Sequence, residues 1–101
     1  MQDPTQVFRA LADPTRRQIL KALKRKDLPA GEITGMFNIS FPSISRHLSI
    51  LKAAGLVNER RKGNSIIYSV NSEHLALCLS EFISAVCPTE IIERHRSRKK
   101  T

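Results

Sequence analysis

The chain has no tryptophan, one tyrosine, four glycines and two cysteines in 101 residues. Two thiols, Cys78 and Cys87, are too few for a disulfide framework or a four-thiolate zinc site. The glycines form no phosphate-cradling loop, no carboxylate pair sits in a spaced motif, and no serine or cysteine has a base placed beside it. An enzyme with a small-molecule substrate is therefore not expected. No apolar run approaches the ~18 residues of a membrane span. The opening Met1-Gln2-Asp3-Pro4 lacks the charged and apolar regions of a signal peptide, so the expected compartment is the cytoplasm. Acid is scarce as well. Nine Asp and Glu face 17 Lys and Arg, a formal charge of +8. That balance points to a polyanionic partner, nucleic acid before an anionic membrane. With 41% apolar residues the chain can fold, and its length suits one domain.

Apolar spacing organises the chain. Val7, Phe8, Leu11, Ile19, Leu20 and Leu23 recur at helical intervals, interrupted by Asp13-Pro14-Thr15. Two helices follow, about 5–12 and 14–25, with Asp13 as cap and Pro14 in the first turn of the second. Arg16, Arg17, Lys21 and Lys24 fall on the polar side of that second helix. Lys26-Asp27-Leu28-Pro29 reads as a connection. Residues 30–37 give a short helix, with Ile33, Met36 and Phe37 on one face. Asn38-Ile39-Ser40 is a three-residue turn. Ser40 caps a helix that runs to about Ala54, where Gly55 supplies a left-handed stop. Residues 57–61 and 65–70 read as strands joined by a Lys62-Gly63-Asn64 turn. A last helix from Ser72 carries Leu75, Leu79, Phe82, Ile83 and Val86 in one stripe, wide enough to be an association surface. Pro88 limits its end. We divide the chain into a domain over 1–92 and a basic, mobile tail over 93–101. The order α-α-α-α-β-β-α, with a helix-turn-helix followed by a hairpin, is a winged helix: a mainly α fold with a minor β part.

The helix after the turn carries the chemistry. At about 100° per residue, Leu48 and Leu51 fall on the Ile44 side, and Arg46 falls opposite, among Pro42, Ser49 and Ala53. Ser43 and Ser45 flank it, and no acidic side chain intervenes. Small residues let a helix approach base edges, and Arg can donate twice to guanine O6 and N7. His47, about 60° from the seam, is either half-buried or reaches a phosphate. In the wing, Arg60, Arg61, Lys62 and Asn64 suit phosphates or a minor groove. Neighbouring strand residues alternate, so Arg60 and Arg61 cannot both face DNA. Tyr68 is expected to pack on the core. The DNA-binding set is therefore Ser43, Ser45, Arg46, His47, Ser49, Arg60, Arg61, Lys62 and Asn64.

Several segments resemble a family. Phe8-Arg-Ala-Leu-Ala-Asp-Pro-Thr-Arg-Arg-Gln-Ile-Leu20 is similar to the opening signature of ArsR/SmtB winged-helix repressors. Phe37-Asn-Ile-Ser-Phe-Pro-Ser-Ile-Ser-Arg-His-Leu48 resembles their recognition segment. Leu51-Lys-Ala-Ala-Gly-Leu-Val57, Arg61-Lys-Gly63 and Tyr68-Ser69 resemble their helix end and wing. The agreement runs over roughly residues 6–86, closest to the autorepressor type. The resemblance implies a homodimer that binds an inverted-repeat DNA operator and blocks transcription. It also implies pairing through the first and last helices, by Val7, Phe8, Leu75, Cys78, Leu79, Phe82 and Val86.

Many members of that family sense metals. One ligand motif, Cys-x-Cys before the turn, has no cysteine in residues 30–37. The positions of another correspond to Ser72, His74, Ala85 and Pro88. His74 alone remains, exposed at a helix start and too little to hold zinc. No metal or cofactor is expected. Cys78 and Cys87 lie about 13.5 Å apart along one helix and cannot form a disulfide within it. Cys78 suits the dimer seam as a small apolar group, and Cys87 an exposed helix end. A thiol- or metalloid-responsive sensor repressor using Cys78 and Cys87 is the alternative reading. A protein-docking winged helix is a third. Any regulatory protein partner is left open.

Overall fold

The computed structural model describes residues 4–99, with side chains as far as residue 95. Helix α1 spans Thr5–Leu11 and α2 Pro14–Arg25. Asp13 turns the corner between them. Its carboxylate accepts from Thr15 N at 2.8 Å and Arg16 N at 3.3 Å, satisfying amides a helix start leaves unpaired. Burial alone would raise the Asp13 carboxyl. Those amides, with His47 and Arg16 nearby, hold it below its usual value.

Strand β1 is Leu28–Pro29, α3 is Ala30–Gly35 and α4 is Phe41–Ala53. Ser40 caps α4 and Pro42 sits in its first turn, as the sequence predicts. Ile19 and Leu23 of α2, Ile33 of α3, and Ile44, Leu48 and Leu51 of α4 are buried together. Each such side chain contributes about 1.5–3 kcal/mol relative to exposure, so the helix-turn-helix is anchored along one seam. Gly55 ends α4 at φ +77°. Its amide bonds Lys52 O at 2.9 Å, and Leu56 N bonds Leu51 O at 3.0 Å. This paired closure requires a left-handed residue, which glycine adopts without steric cost.

Strands β2 (Val57–Lys62) and β3 (Ser65–Val70) form the wing. Lys62 pairs with Ser65, so the turn is only Gly63–Asn64. Gly63 has φ +62° and Asn64 is not left-handed, the sign pattern of a type II′ turn. Helix α5 covers Ser72–Val86 and α6 covers Thr89–Lys99.

Four expectations change. The Lys26–Pro29 connection contains β1, which pairs Leu28 with Tyr68 and makes a three-stranded antiparallel sheet in the order β1-β3-β2. Leu28 is buried and holds that short strand against the core. The short helix ends at Gly35, closed by Met36 N to Ile33 O at 3.1 Å. Met36 therefore swings outward to 54% exposure instead of sharing the buried face. The division at residue 92 falls inside α6, so the tail continues a helix. Pro88 breaks α5 but starts α6, its carbonyl accepting from Ile91 N at 3.1 Å. Finally, Val7, which the resemblance implies for the seam, lies in the chain's own core at 2% exposure.

Candidate nucleic-acid interface

The outer side of α4 is bare. Pro42, Ser43, Ser45, Arg46, Ser49 and Ala53 are all exposed, opposite buried Ile44, Leu48 and Leu51. Arg46 has no hydrogen bond or ion pair among the described residues. Its guanidinium keeps every donor for something outside the protomer. Ser43 is partly committed, because Ser40 Oγ donates to Ser43 Oγ at 3.1 Å and accepts from Ser43 N at 3.4 Å. His47 is half-buried, with Nδ1 3.2 Å from an Arg16 guanidinium nitrogen.

Strand register settles which wing arginine lies on the α4 side. Paired residues share a face and neighbours alternate. Val57, Glu59 and Arg61 thus share a face with Val70, Tyr68 and Ile66. Val57 is buried, and Tyr68 and Val70 pack on the core as expected. Glu59 reaches Lys52 of α4 in an ion pair. That hydrogen bond lowers the Glu59 carboxyl, while burial and then the Glu59 charge raise the Tyr68 phenol. Arg61 stands further out on this face. Arg60 points the other way and pairs with Asp27 at 2.9 Å. Lys62, Gly63 and Asn64 are exposed at the wing tip. Arg61 thus shares the strand face that Glu59 turns to α4, and Lys62 and Asn64 are exposed at the tip. The Asp27 pair ties Arg60 to the loop before β1, so Arg60 is the weakest member of the expected set. Lys52, Asp27 and Arg16 escaped the sequence reading. Their partners lie 7, 33 and 31 positions away, and no local spacing announces them.

The apolar stripe of α5 is equally visible. Helix α5 has no buried residue. Phe82, Ile83 and Val86 are 48%, 43% and 63% exposed. Leu75 and Leu79 are half-buried, and Phe8 meets Phe82 edge to face with ring centres 5.0 Å apart. His74 differs from expectation. It is half-buried, because Gly55 leaves it room: a Cβ there would lie 3.0 Å from the ring. Its Nε2 is 3.7 Å from Cys78 Sγ. Cys78 packs against the protomer's core, and Cys87 is half-buried where α5 ends. Among the described residues no three His, Cys, Asp or Glu side chains gather as a metal site.

Comparison with known proteins fits this geometry. The model of bacterial regulatory proteins of the arsR family matches residues 13–59. Transcriptional repressor SdpR of Bacillus subtilis (strain 168) is 56% identical over 66 residues, covering 65% of this chain and 73% of that protein. The chain belongs to the ArsR family. HTH-type transcriptional regulator KmtR of Mycobacterium tuberculosis is 40% identical over 70 residues, which cover 69% of this chain and 54% of that regulator. The solved structure of an ArsR-like transcriptional regulator from Rhodococcus sp. RHA1 superposes with a TM-score of 0.74 at 30% identity, over 95% of this chain and 89% of that one. The chain is thus a DNA-binding repressor of the ArsR type and not an enzyme.

Proposed function

We propose that two copies of this chain pair through α1 and α5 and place their α4 helices in successive major grooves of an inverted-repeat operator, blocking transcription. Arg46 reads a base edge, with Ser45 and Ser49 beside it. Ser43, His47, Arg61, Lys62 and Asn64 hold the backbone of the duplex. Phe8, Leu75, Cys78, Leu79, Phe82 and Val86 line or support the seam. The observation that carries this reading is the exposed outer face of α4, with small residues around one unpaired arginine. Operation on the chromosome places the protein in the cytoplasm, and no described helix is long and apolar enough to cross a membrane. Regulation of its own promoter follows as the simplest target. Footprinting on chromosomal DNA tests the proposal. It should show two-fold-symmetric protection near the protein's own gene; protection without symmetry contradicts it.

One observation favours a second reading, the thiol- or metalloid-responsive repressor. Cys78 touches His74, and His74 packs on Gly55 at the end of α4. Modifying the sulfur would disturb that end. Operator affinity measured with strong chelator, then with and without reductant, separates the two. Unchanged affinity in every arm supports the unswitched repressor. A loss restored by one metal or by reductant supports the sensor.

A further inference from the structure

Arg16 is the most heavily bonded side chain on the surface of the fold, and the reading face makes no direct use of it. Its Nε donates to Ala10 O at 2.7 Å and one terminal nitrogen to Arg9 O at 2.9 Å. Both carbonyls lie in the last turn of α1, where Arg9 O also accepts from Ala12 N at 3.2 Å. Its other terminal nitrogen reaches His47 Nδ1 at 3.2 Å. Its own amide is held by the Asp13 carboxylate. One planar fork therefore joins the end of α1 to the middle of α4. These are the helix that carries Phe8, half of the Phe8–Phe82 contact at the seam, and the helix that carries Arg46.

The chemistry at His47 follows from the donor. Arginine has no acceptor, so the ring nitrogen facing it must accept. Nδ1 is then bare, and the ring proton sits on Nε2. No hydrogen-bond partner for Nε2 appears among the described residues. We infer that Arg16 is a positioning residue for DNA recognition: it locks the His47 ring with Nε2–H as an outward donor and fixes α4 relative to the dimerising helix. Arg16 acts through His47 and does not itself meet DNA. A lysine in its place keeps the charge but not the three-way planar fork. The inference rests on α4 being the reading helix.

Two measurements on the full chain test it. The first is the long-range 1H–15N spectrum of the histidine rings at pH 8, without DNA. The wild-type His47 should carry its proton on Nε2, and Arg16→Lys should give a mixture of tautomers. The second is a double-mutant cycle of Arg16→Lys and His47→Ala on operator and random DNA across a salt series. Arg16→Lys should lower operator affinity about tenfold, leave the salt slope unchanged, and add nothing once His47 is alanine. Melting temperatures of all variants separate these effects from unfolding. A wild-type ring protonated on Nδ1 overturns the inference. Additive losses in the cycle overturn it too, as does a salt slope that falls by about 1 per site, the mark of a direct phosphate contact. So does full operator affinity in Arg16→Lys. The reading of α4 fails separately, if Arg46→Ala spares operator preference.

Discussion

At the scale of single residues, Arg46 and Lys62 carry the same charge, and the proposal gives them different work. Arg46 stands opposite the buried seam of α4, with no hydrogen bond or ion pair among the described residues. Lys62 closes β2 beside the Gly63–Asn64 turn. Losing a bidentate arginine contact to a base costs ~1–3 kcal/mol and relaxes preference at one base pair. Losing a phosphate contact weakens all sequences alike and lowers the salt slope by ~1 per site. Arg46→Ala should therefore erase most of the gap between operator and random DNA. Lys62→Ala should lower both affinities and keep the gap. Fluorescence anisotropy on both DNAs at several salt concentrations reads the two outcomes; an intact ratio in Arg46→Ala would misplace the reading face. The direction of Arg46 was legible from its 200° offset to Ile44 alone, by about 100° per residue. Strand alternation showed that Arg60 and Arg61 part, but not which way. The Asp27 partner that takes Arg60 depends on a loop 33 positions earlier. The bonds of Arg16 are not legible in the sequence, because they exist only once α1 and α4 have packed around the corner at Asp13.

At the scale of elements, signals held within one helical turn were readable. Ser40 and Pro42 start α4, Gly55 stops it, and its apolar spacing matches the buried Ile44, Leu48 and Leu51. Gly55 does two jobs, a left-handed closure and room for His74. Gly55→Ala should strain the first and crowd the second. We expect about 1–2 kcal/mol of lost stability, or roughly 4–15 °C in melting temperature for a domain of this size. Thermal denaturation followed by circular dichroism checks it; an unchanged midpoint would mean the α4 end relaxes freely. Strand β1 was invisible in the sequence because two residues have no period. The stretch of α6 from Glu93 onward reads as tail in sequence because charges dominate it, and only the short apolar pair Ile91 and Ile92 behind Pro88 hints at the helix. Met36 was placed inward by spacing that assumed another half-turn of α3, which Gly35 does not continue.

At the scale of the whole molecule, apolar surface is left uncovered on one helix. The core lies in α1–α4 and the foot of the wing, while α5 leaves Phe82, Ile83 and Val86 in solvent. A patch of this kind suits association, and in the proposed dimer a second copy offers the same apolar face by symmetry. Phe82→Asp should give monomers by sedimentation and weaken operator binding together. A Phe82→Asp protein that still sediments as a dimer would place the seam elsewhere. The sequence made this face legible as a stripe but put Val7 on it as well; only packing shows that Val7 turns inward against the protomer's core. In the proposed dimer, two reading helices related by one two-fold axis demand half-sites about one helical turn apart, 10–10.5 base pairs centre to centre. The most direct test is to insert 5 base pairs between the half-sites of the footprinted operator and measure affinity again. The account predicts a fall to the level of random DNA, with recovery toward operator affinity absent until the spacing is restored. Undiminished affinity for the half-turn insertion would show that each copy binds its half-site alone, and would contradict the dimeric repressor.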